Sequence, residues 1–364
     1  LPTAQPRAGA EASVEIGRKI VTAQKDLKKR IRARMARTGE SYTAAREHVL
    51  RAREETNDAT PCDETVEAAL LKVNERSARV RVLGQKSELT LRGSGITLAA
   101  PGQIATVKLT KRWTWRGDDY ASGSVEGVRT DVSRLGLTPL PLVELGSDDF
   151  AEHEDGYGRD PRLAALWERH AGRLRPAVEL DAIAWEGRRA AESEDFDDTP
   201  VSDAAELWAE GERSEARELL MEVLGDDLRC IDAHAHLGNW VSERSPKGAL
   251  VHYEIGIGIA ELSLRDAPRD CVLPWSAMYN RPLLRCLDGL GYALWRLDRR
   301  AEAAAAFERV CALNPLDHQG ARFAWLAVSS GERWEDFAAR EDERDEWTDD
   351  EDLDHDLKGL DLLH

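Results

Sequence analysis

The chain has 364 residues, of which 42% are hydrophobic and 32% are charged, and its formal net charge is −18. This length exceeds the roughly 250 to 300 residues at which a single hydrophobic core stops growing, so more than one domain is expected. No apolar run approaches the roughly 18 to 20 residues of a membrane-spanning helix, and the first residues lack a signal-peptide core, so a soluble, cytoplasmic protein without membrane partners is expected.

The N-terminal part, residues 14–53, is predicted to form a basic helical hairpin. In its first helix apolar residues recur every three or four positions, and nine Lys or Arg stand against one acid between Arg18 and Arg37. Gly39 is suited to end that helix, and Ser41 or Thr43 can cap the next one. The sequence therefore predicts two short helices, the first with one apolar stripe on a basic surface.

This basic hairpin has three candidate targets. It can meet the phosphates of a nucleic acid, an acidic protein partner, or the acidic tail of the same chain, residues 332–364. The tail holds fifteen acids against four bases between Glu332 and Asp361 and is expected to be disordered, as is the leader at residues 1–13. The candidate phosphate contacts are Lys28, Lys29, Arg30, Arg32 and Arg34.

A small β domain is predicted at residues 64–132, where β-branched and aromatic residues occur in short runs broken by glycine. Its segment KLTKRWTWRGDDY contributes four further nucleic-acid candidates: Lys111, Arg112, Trp113 and Trp115. On a strand, Trp113 and Trp115 share one face while Arg112 and Arg116 share the other. The rings can stack on bases of a single strand or fill the barrel core; the core interpretation is preferred because no named nucleic-acid module matches.

After an irregular connector with short helices at residues 133–200, helical repeats are predicted at residues 201–331. The segment Leu287–Pro315 follows the tetratricopeptide template: Leu290 and Gly291 occupy its Leu-Gly positions, and Ala303 and Phe307 stand where the second helix packs on the first. Two weaker units precede it, and an insertion makes the array irregular. The alternative is a set of ordinary helical pairs in a globular domain.

The chain also resembles a family of bacterial tetratricopeptide-repeat proteins. The likeness rests on RCIDAHAHLGNW, on NRPLLRCLDGLGYALWRLDRRAEA and on LNPLDHQGARF, and it reaches back through WTWRGDDYASGSVEGVRTDVSRLGLTPLPL. It covers about two thirds of the chain and implies a helical repeat fold without implying an activity. The segment KKRIRARMARTGESYTAAREH likewise resembles a helical leader of actinobacterial proteins.

No chemistry of catalysis or metal binding is indicated by the residue patterns. GxSxG, Walker, HExxH and GxGxxG motifs are missing from the sequence, so no catalytic residue and no cofactor is predicted. His234 and His236 stand two apart, which points them to different sides of a helix and is a poor spacing for a shared metal. The five cysteines are scattered without a CxxC pair, which favours free thiols over ligands or disulfides.

These observations predict a mainly α protein with a C-terminal tetratricopeptide-like array, a small β-rich domain and an N-terminal helical hairpin. The expected function is that of a scaffold or adaptor whose groove, lined by the first helix of each pair, binds a peptide or helix of a protein partner. A nucleic-acid-binding regulator and an enzyme without a recognisable motif are the competing hypotheses. The candidate partner-binding residues are His234, Asn239, Trp275, Tyr279, Asn280, Arg281, Arg285 and Asp288.

Overall fold

The computed structural model describes residues 28–29, 31–55, 59–74, 76–96, 99–148, 157–158, 160–171, 173–181 and 199–341. Half of the described residues are helical and 24% lie in strands, and the strand-rich part precedes the main run of helices. The expectation of a mainly α fold is therefore wrong. The chain is α+β, because five strands close a barrel and two more strands lie where an irregular connector was expected.

The described chain divides into two compact units, Leu1–Glu64 with Leu109–Gly123 and Thr65–Lys108 with Ser124–His364. In the first unit residues 31–38 are helical, and helix α1 follows at Tyr42–Glu55. Gly39, with a φ of 70°, ends the first helical segment, and its amide donates to the carbonyl of Met35. Ser41 Oγ accepts from the amide of Ala44 at 3.3 Å, as an N-cap does. The small core of these helices consists of Ile31, Ala45 and Val49.

The five barrel strands are hydrogen-bonded in the order β1-β2-β3-β5-β4. Burial alternates in β2, where Ala78, Val80 and Val82 are buried while Arg79 is exposed, whereas β1 buries four consecutive residues at positions 68–71. Strand β1 bulges between Leu70 and Lys72 where it pairs with β2. The strands are β1 (Thr60–Val73), β2 (Ser77–Val82), β3 (Glu88–Ser94), β4 (Gln103–Trp115) and β5 (Asp118–Thr130).

In the chain, a two-stranded antiparallel sheet follows the barrel and precedes the main helices. It consists of β6 (Leu142–Asp148) and β7 (Arg175–Leu180), and helix α2 (Pro161–His170) lies between them in the chain. Sequence periodicity missed β6 because six of its seven residues are exposed, so it lacks an alternating apolar face. A bulge between Glu144 and Gly146 interrupts the pairing with β7.

The C-terminal half consists of helices that pack as consecutive pairs, α3 on α4, α5 on α6 and α7 on α8, with α9 on α8. The first helices also contact one another, α3 with α5 and α5 with α7. The pairs share one continuous core with the second-unit part of the barrel. The helices are α3 (Pro200–Ala209), α4 (Arg213–Asp226), α5 (Ile231–Ser242), α6 (Pro246–Leu264), α7 (Arg281–Arg296), α8 (Arg300–Leu313) and α9 (Ala321–Ser329).

The acidic tail was expected to be disordered, but its first residues are ordered. Residues 334–341 are helical, and Phe337 is only 5% exposed. Its ring lies 4.9 Å from that of Trp295 on α7, and the Trp295 indole N–H donates to the carbonyl of Glu332 at 3.1 Å. These aromatic contacts extend the ordered helical region past the predicted boundary at residue 331, because aromatic burial outweighs the local excess of acids. The rest of the tail lies outside the described residues.

Candidate functional site

A cleft of about 490 Å³ opens on the helical region of the second unit. Its helical lining comes from α3, α5 and α7, the first helix of each pair, and none of its lining residues belongs to α4, α6 or α8. The lining residues are Leu140, Leu180, Thr199, Val201, Ser202, Ala205, Glu206, Arg229, Ile231, Asp232, His236, Met278, Tyr279, Arg281, Pro282 and Arg285.

Two arginines of α7 are held at the cleft by Trp275. The guanidinium carbon of Arg281 lies 5.3 Å from the centre of the Trp275 ring and that of Arg285 lies 5.8 Å from it. Arg281 Nε also donates to the Trp275 carbonyl at 2.9 Å. Both positions fall within the range of cation–π attraction. The indole therefore restrains two cations, four residues apart and thus on one helix face, at the edge of the cleft.

A carboxylate of α5 links these cations to the neighbouring helix. Arg285 Nη1 donates to Asp232 Oδ1 at 3.2 Å, and the same oxygen lies 3.9 Å from Nε2 of His236, one turn further along α5. Burial lowers the pKa of His236; Asp232 opposes this shift and Arg285 adds to it. The imidazole is therefore held toward its neutral form, and Arg285 is partly neutralised.

A third arginine enters the cleft from the loop before α5. Arg229 forms a close ion pair with Asp227, with Nη2 2.6 Å from Oδ2. At the start of α3, Thr199 caps the helix by accepting from the Ser202 amide at 3.1 Å, and Pro200 occupies the first helical turn. This cap fixes the start of α3 and with it the cleft residue Glu206, about two turns further on.

The edge of the cleft formed by Met278, Tyr279 and Asn280 is anchored by a buried amide. Asn280 has no exposed surface; its Nδ2 donates to the carbonyls of Val178 at 2.9 Å and Pro274 at 3.2 Å. Its Oδ1 accepts from the amide of Leu180 at 3.1 Å. Asn280 was predicted to contact a partner directly; because it is fully buried, that prediction is corrected to a role in positioning the neighbouring cleft residues.

The remaining predicted partner-binding residues lie away from the cleft surface. His234 is fully buried, with Nε2 3.3 Å from the carbonyl of Leu228, so it has no surface to offer a partner. Asn239 accepts the hydroxyl of Tyr253 at 2.7 Å. Asp288 keeps one buried oxygen, Oδ1, without a hydrogen-bond partner among the described residues. Tyr279, Arg281 and Arg285 are thus the predicted residues that line the cleft, with Trp275 holding the two arginines.

Sequence reasoning missed four polar residues of the cleft, Glu206, Arg229, Asp232 and His236, as binding candidates. Asp232 and His236 stand four apart at the start of a helix, a spacing that places them on one face and was available as a signal. Asp232 and Arg285 lie on different helices and are 53 positions apart in the chain. Periodicity within one helix does not reveal such a pair.

The residues predicted for nucleic acid all fall in the first unit. Lys28, Lys29 and Arg32 are exposed, Arg34 pairs with Glu40 at 2.9 Å, and Arg30 lies outside the described residues. On the barrel hairpin, Lys111 is exposed and Arg112 pairs with Glu64 at 3.0 Å. Trp113 and Trp115 are partly exposed and do not fill the core, so the preferred core interpretation is wrong.

No protein-family model, curated protein or solved structure matches this chain. In the part of the chain that the structure describes, no group of three or more His, Cys, Asp or Glu residues is placed to hold a metal ion. Over those same residues, no helix combines the length and apolar character needed to cross a membrane.

Proposed function

We propose that this protein is a scaffold or adaptor whose cleft binds an extended, acidic segment of a protein partner. The observation that carries the proposal is that the first helices of three successive pairs, α3, α5 and α7, together line the cleft. Stacked helical pairs use such concave surfaces to bind extended peptides or helices.

The charges of the cleft favour an acidic ligand. Three arginines line it, Arg229, Arg281 and Arg285, against the carboxylates of Glu206 and Asp232, and Arg229 is already paired with Asp227. The unit around it is strongly acidic, with 34 Lys or Arg against 56 Asp or Glu in Thr65–Lys108 and Ser124–His364, a net charge of −22. Arginines gathered in one cleft of an otherwise acidic unit would steer an acidic segment to that place, because like charge repels it elsewhere.

The arginines are also prepared for carboxylate recognition. Trp275 restrains Arg281 and Arg285 before any ligand arrives, so less side-chain freedom is lost on binding. A guanidinium can donate two parallel hydrogen bonds to one carboxylate, which gives direction as well as attraction. A reducing, cytoplasmic location belongs to this proposal and is supported by the five cysteines, all of which are free thiols.

Peptide display against the full chain tests the proposed function. Selected sequences should be enriched in Asp and Glu. Arg281→Ala and Arg285→Ala should each lower the affinity for a selected peptide by about tenfold, because each removes one charge-assisted contact. The matched control is Arg309→Ala, which removes an exposed ion pair with Glu261 at 2.8 Å outside the cleft. Selection without acidic enrichment, or equal losses for Arg309→Ala, would argue against the cleft.

A second variant tests the same site in the opposite direction. Asp232→Asn removes the carboxylate that partly neutralises Arg285, so the affinity for an acidic peptide should rise severalfold. Titration calorimetry with the selected peptide measures this change. An unchanged or weaker affinity would mean that Arg285 does not contact the ligand carboxylate.

A further inference from the structure

The hairpin between β4 and β5 carries three aromatic rings at its tip. Arg116 and Gly117 form its two-residue turn, with φ of 54° and 90°, the backbone signature of a tight type I′ hairpin turn. The Trp113 ring stacks on Tyr120 across the two strands, with centroids 5.6 Å apart and planes 13° from parallel. Trp115 meets the same Tyr120 ring edge-on at 6.1 Å. All three rings are partly exposed.

Positive charge lies on the same face of the hairpin as the rings. The guanidinium of Arg116 lies 4.6 Å from the centre of the Trp115 ring. Lys111 is exposed and shares the strand face of Trp113, two residues away. The sequence prediction that Arg116 faces away from the tryptophans is therefore wrong, because Arg116 stands in the turn with positive φ and does not follow the alternation of the strand.

The surrounding unit is basic although the whole chain is acidic. Leu1–Glu64 with Leu109–Gly123 holds sixteen Lys or Arg against twelve Asp or Glu, a net charge of +4 in a chain of −18. The hairpin segment, residues 109–123, holds Lys111, Arg112 and Arg116 against Asp118 and Asp119. Arg112 pairs with Glu64 at 3.0 Å, and Asp119 keeps its charge while it accepts from the Thr114 hydroxyl at 2.9 Å. Lys111 and Arg116 are therefore the cations of the hairpin that would meet a polyanion.

We propose that this aromatic hairpin binds single-stranded nucleic acid, in addition to the peptide-binding role of the cleft. Bases would stack on Trp113 and its neighbouring rings, while Lys111 and Arg116 would meet the adjacent phosphates. Unpaired bases are needed because the rings require an exposed base face, which a duplex does not offer. The barrel has five strands, and the five-stranded oligonucleotide-binding barrels also contact their ligands with the loop between β4 and β5.

Fluorescence anisotropy with labelled twelve-nucleotide oligo(dT) and oligo(U) and the full chain tests this proposal. Wild-type binding should weaken steeply with added salt, because phosphate contacts release counterions. Trp113→Ala should weaken binding about tenfold or more, as expected for a lost stacking contact, while Trp113→Phe should retain most of the affinity. Arg116→Asn should weaken binding severalfold; Asn tolerates the positive φ of this turn, so the hairpin keeps its shape.

Controls separate this site from the cleft and from general charge effects. Lys86→Ala, at an exposed position of the β2–β3 loop, and Arg285→Ala should leave oligonucleotide binding unchanged. The proposal is overturned if the wild type binds neither oligonucleotide at 100 μM protein and low salt, or if Trp113→Ala and Arg116→Asn both bind like the wild type. The proposal is also overturned if the hairpin binds a protein partner through Trp113 and binds neither oligonucleotide.

Discussion

Gly289 of α7 lies directly against the ring of Tyr253 of α6: a Cβ at Gly289 would stand 2.7 Å from the Tyr253 hydroxyl oxygen. Gly238 of α5 meets the same ring, where a Cβ would stand 2.8 Å from Cδ1. The hydroxyl is fixed by donating to Asn239 Oδ1 at 2.7 Å. These glycines allow close packing, and the Tyr253 ring packs against both α5 and α7, two helices that line the cleft.

Gly289→Ala should destabilise the protein by about 1 to 3 kcal/mol, the usual cost of an added methyl group in a packed core. Urea unfolding followed by circular dichroism measures the change. The matched control is Gly127→Ala on β5, where a Cβ meets nothing within 4 Å. Equal stability of the two variants would show that the Tyr253 ring yields at little cost.

Acid should destabilise the helical region through His234 and His252, whose rings lie 5.9 Å apart inside it. Burial lowers the pKa of His234 to about 3 and that of His252 to about 4. The unfolded chain therefore takes up these protons first, and stability falls as the pH drops from about 6.5 toward 3, by up to about 1.4 kcal/mol per pH unit for each histidine.

Urea midpoints at pH 7.5 and pH 5.0 measure this dependence. His252→Gln should reduce the difference between the two pH values, because one of the two buried imidazoles is gone. Exposed His48 offers the matched control, since His48→Gln should leave the difference as it is in the wild type. A wild type that is equally stable at both pH values would contradict the burial of neutral histidines.

Asp288 should give the opposite pH dependence. Burial raises its pKa to about 8, with a smaller contribution from the negative charge of Asp317. The folded state then holds a proton that the unfolded chain loses near pH 4, so this carboxyl costs stability progressively as the pH rises toward 8. Asp288→Asn should raise stability at pH 8 by about 1 to 3 kcal/mol, a range that reflects its partial exposure. Thermal unfolding at pH 5 and pH 8 tests this; a gain that is no larger at pH 8 would refute it.

Asn280→Ala should destabilise the cleft edge by about 3 kcal/mol, because three hydrogen bonds to its side chain disappear together. The selected peptide should also bind more weakly, since Tyr279 and Arg281 lose their anchor. Asn280→Asp is the informative companion, as it keeps the acceptor for the Leu180 amide and loses the two donated bonds. Unchanged peptide affinity in both variants would show that Asn280 does not position the residues that bind the peptide.

Local patterns predicted the elements that are governed by neighbours in the chain. The Leu287–Pro315 segment contains most of α7 and all of α8, with Ala303 and Phe307 fully buried between the helices. The tetratricopeptide identity of these pairs stays a prediction. Trp113 and Trp115 share a face, as strand alternation requires.

The features that sequence patterns missed depend on contacts between distant parts of the chain or on backbone conformation. The pairing of Asp232 with Arg285 arises only when α5 and α7 pack, and Arg116 reaches the aromatic face through a positive φ in a two-residue turn. The strand β6 lacks an apolar face, so the share of β structure was underestimated. Burial of Asn280 likewise follows from contacts about 100 positions away.

The most direct test of the cleft as the binding surface is photo-crosslinking in native lysate. A benzophenone amino acid replaces Met278, which lines the cleft and is 49% exposed, or Phe323 on α9, which is 47% exposed and does not line it. We expect a defined, nuclease-resistant protein adduct from position 278, lost with Arg285→Ala, and none from position 323. The same adducts from both positions, or adducts that persist with Arg285→Ala, would contradict it.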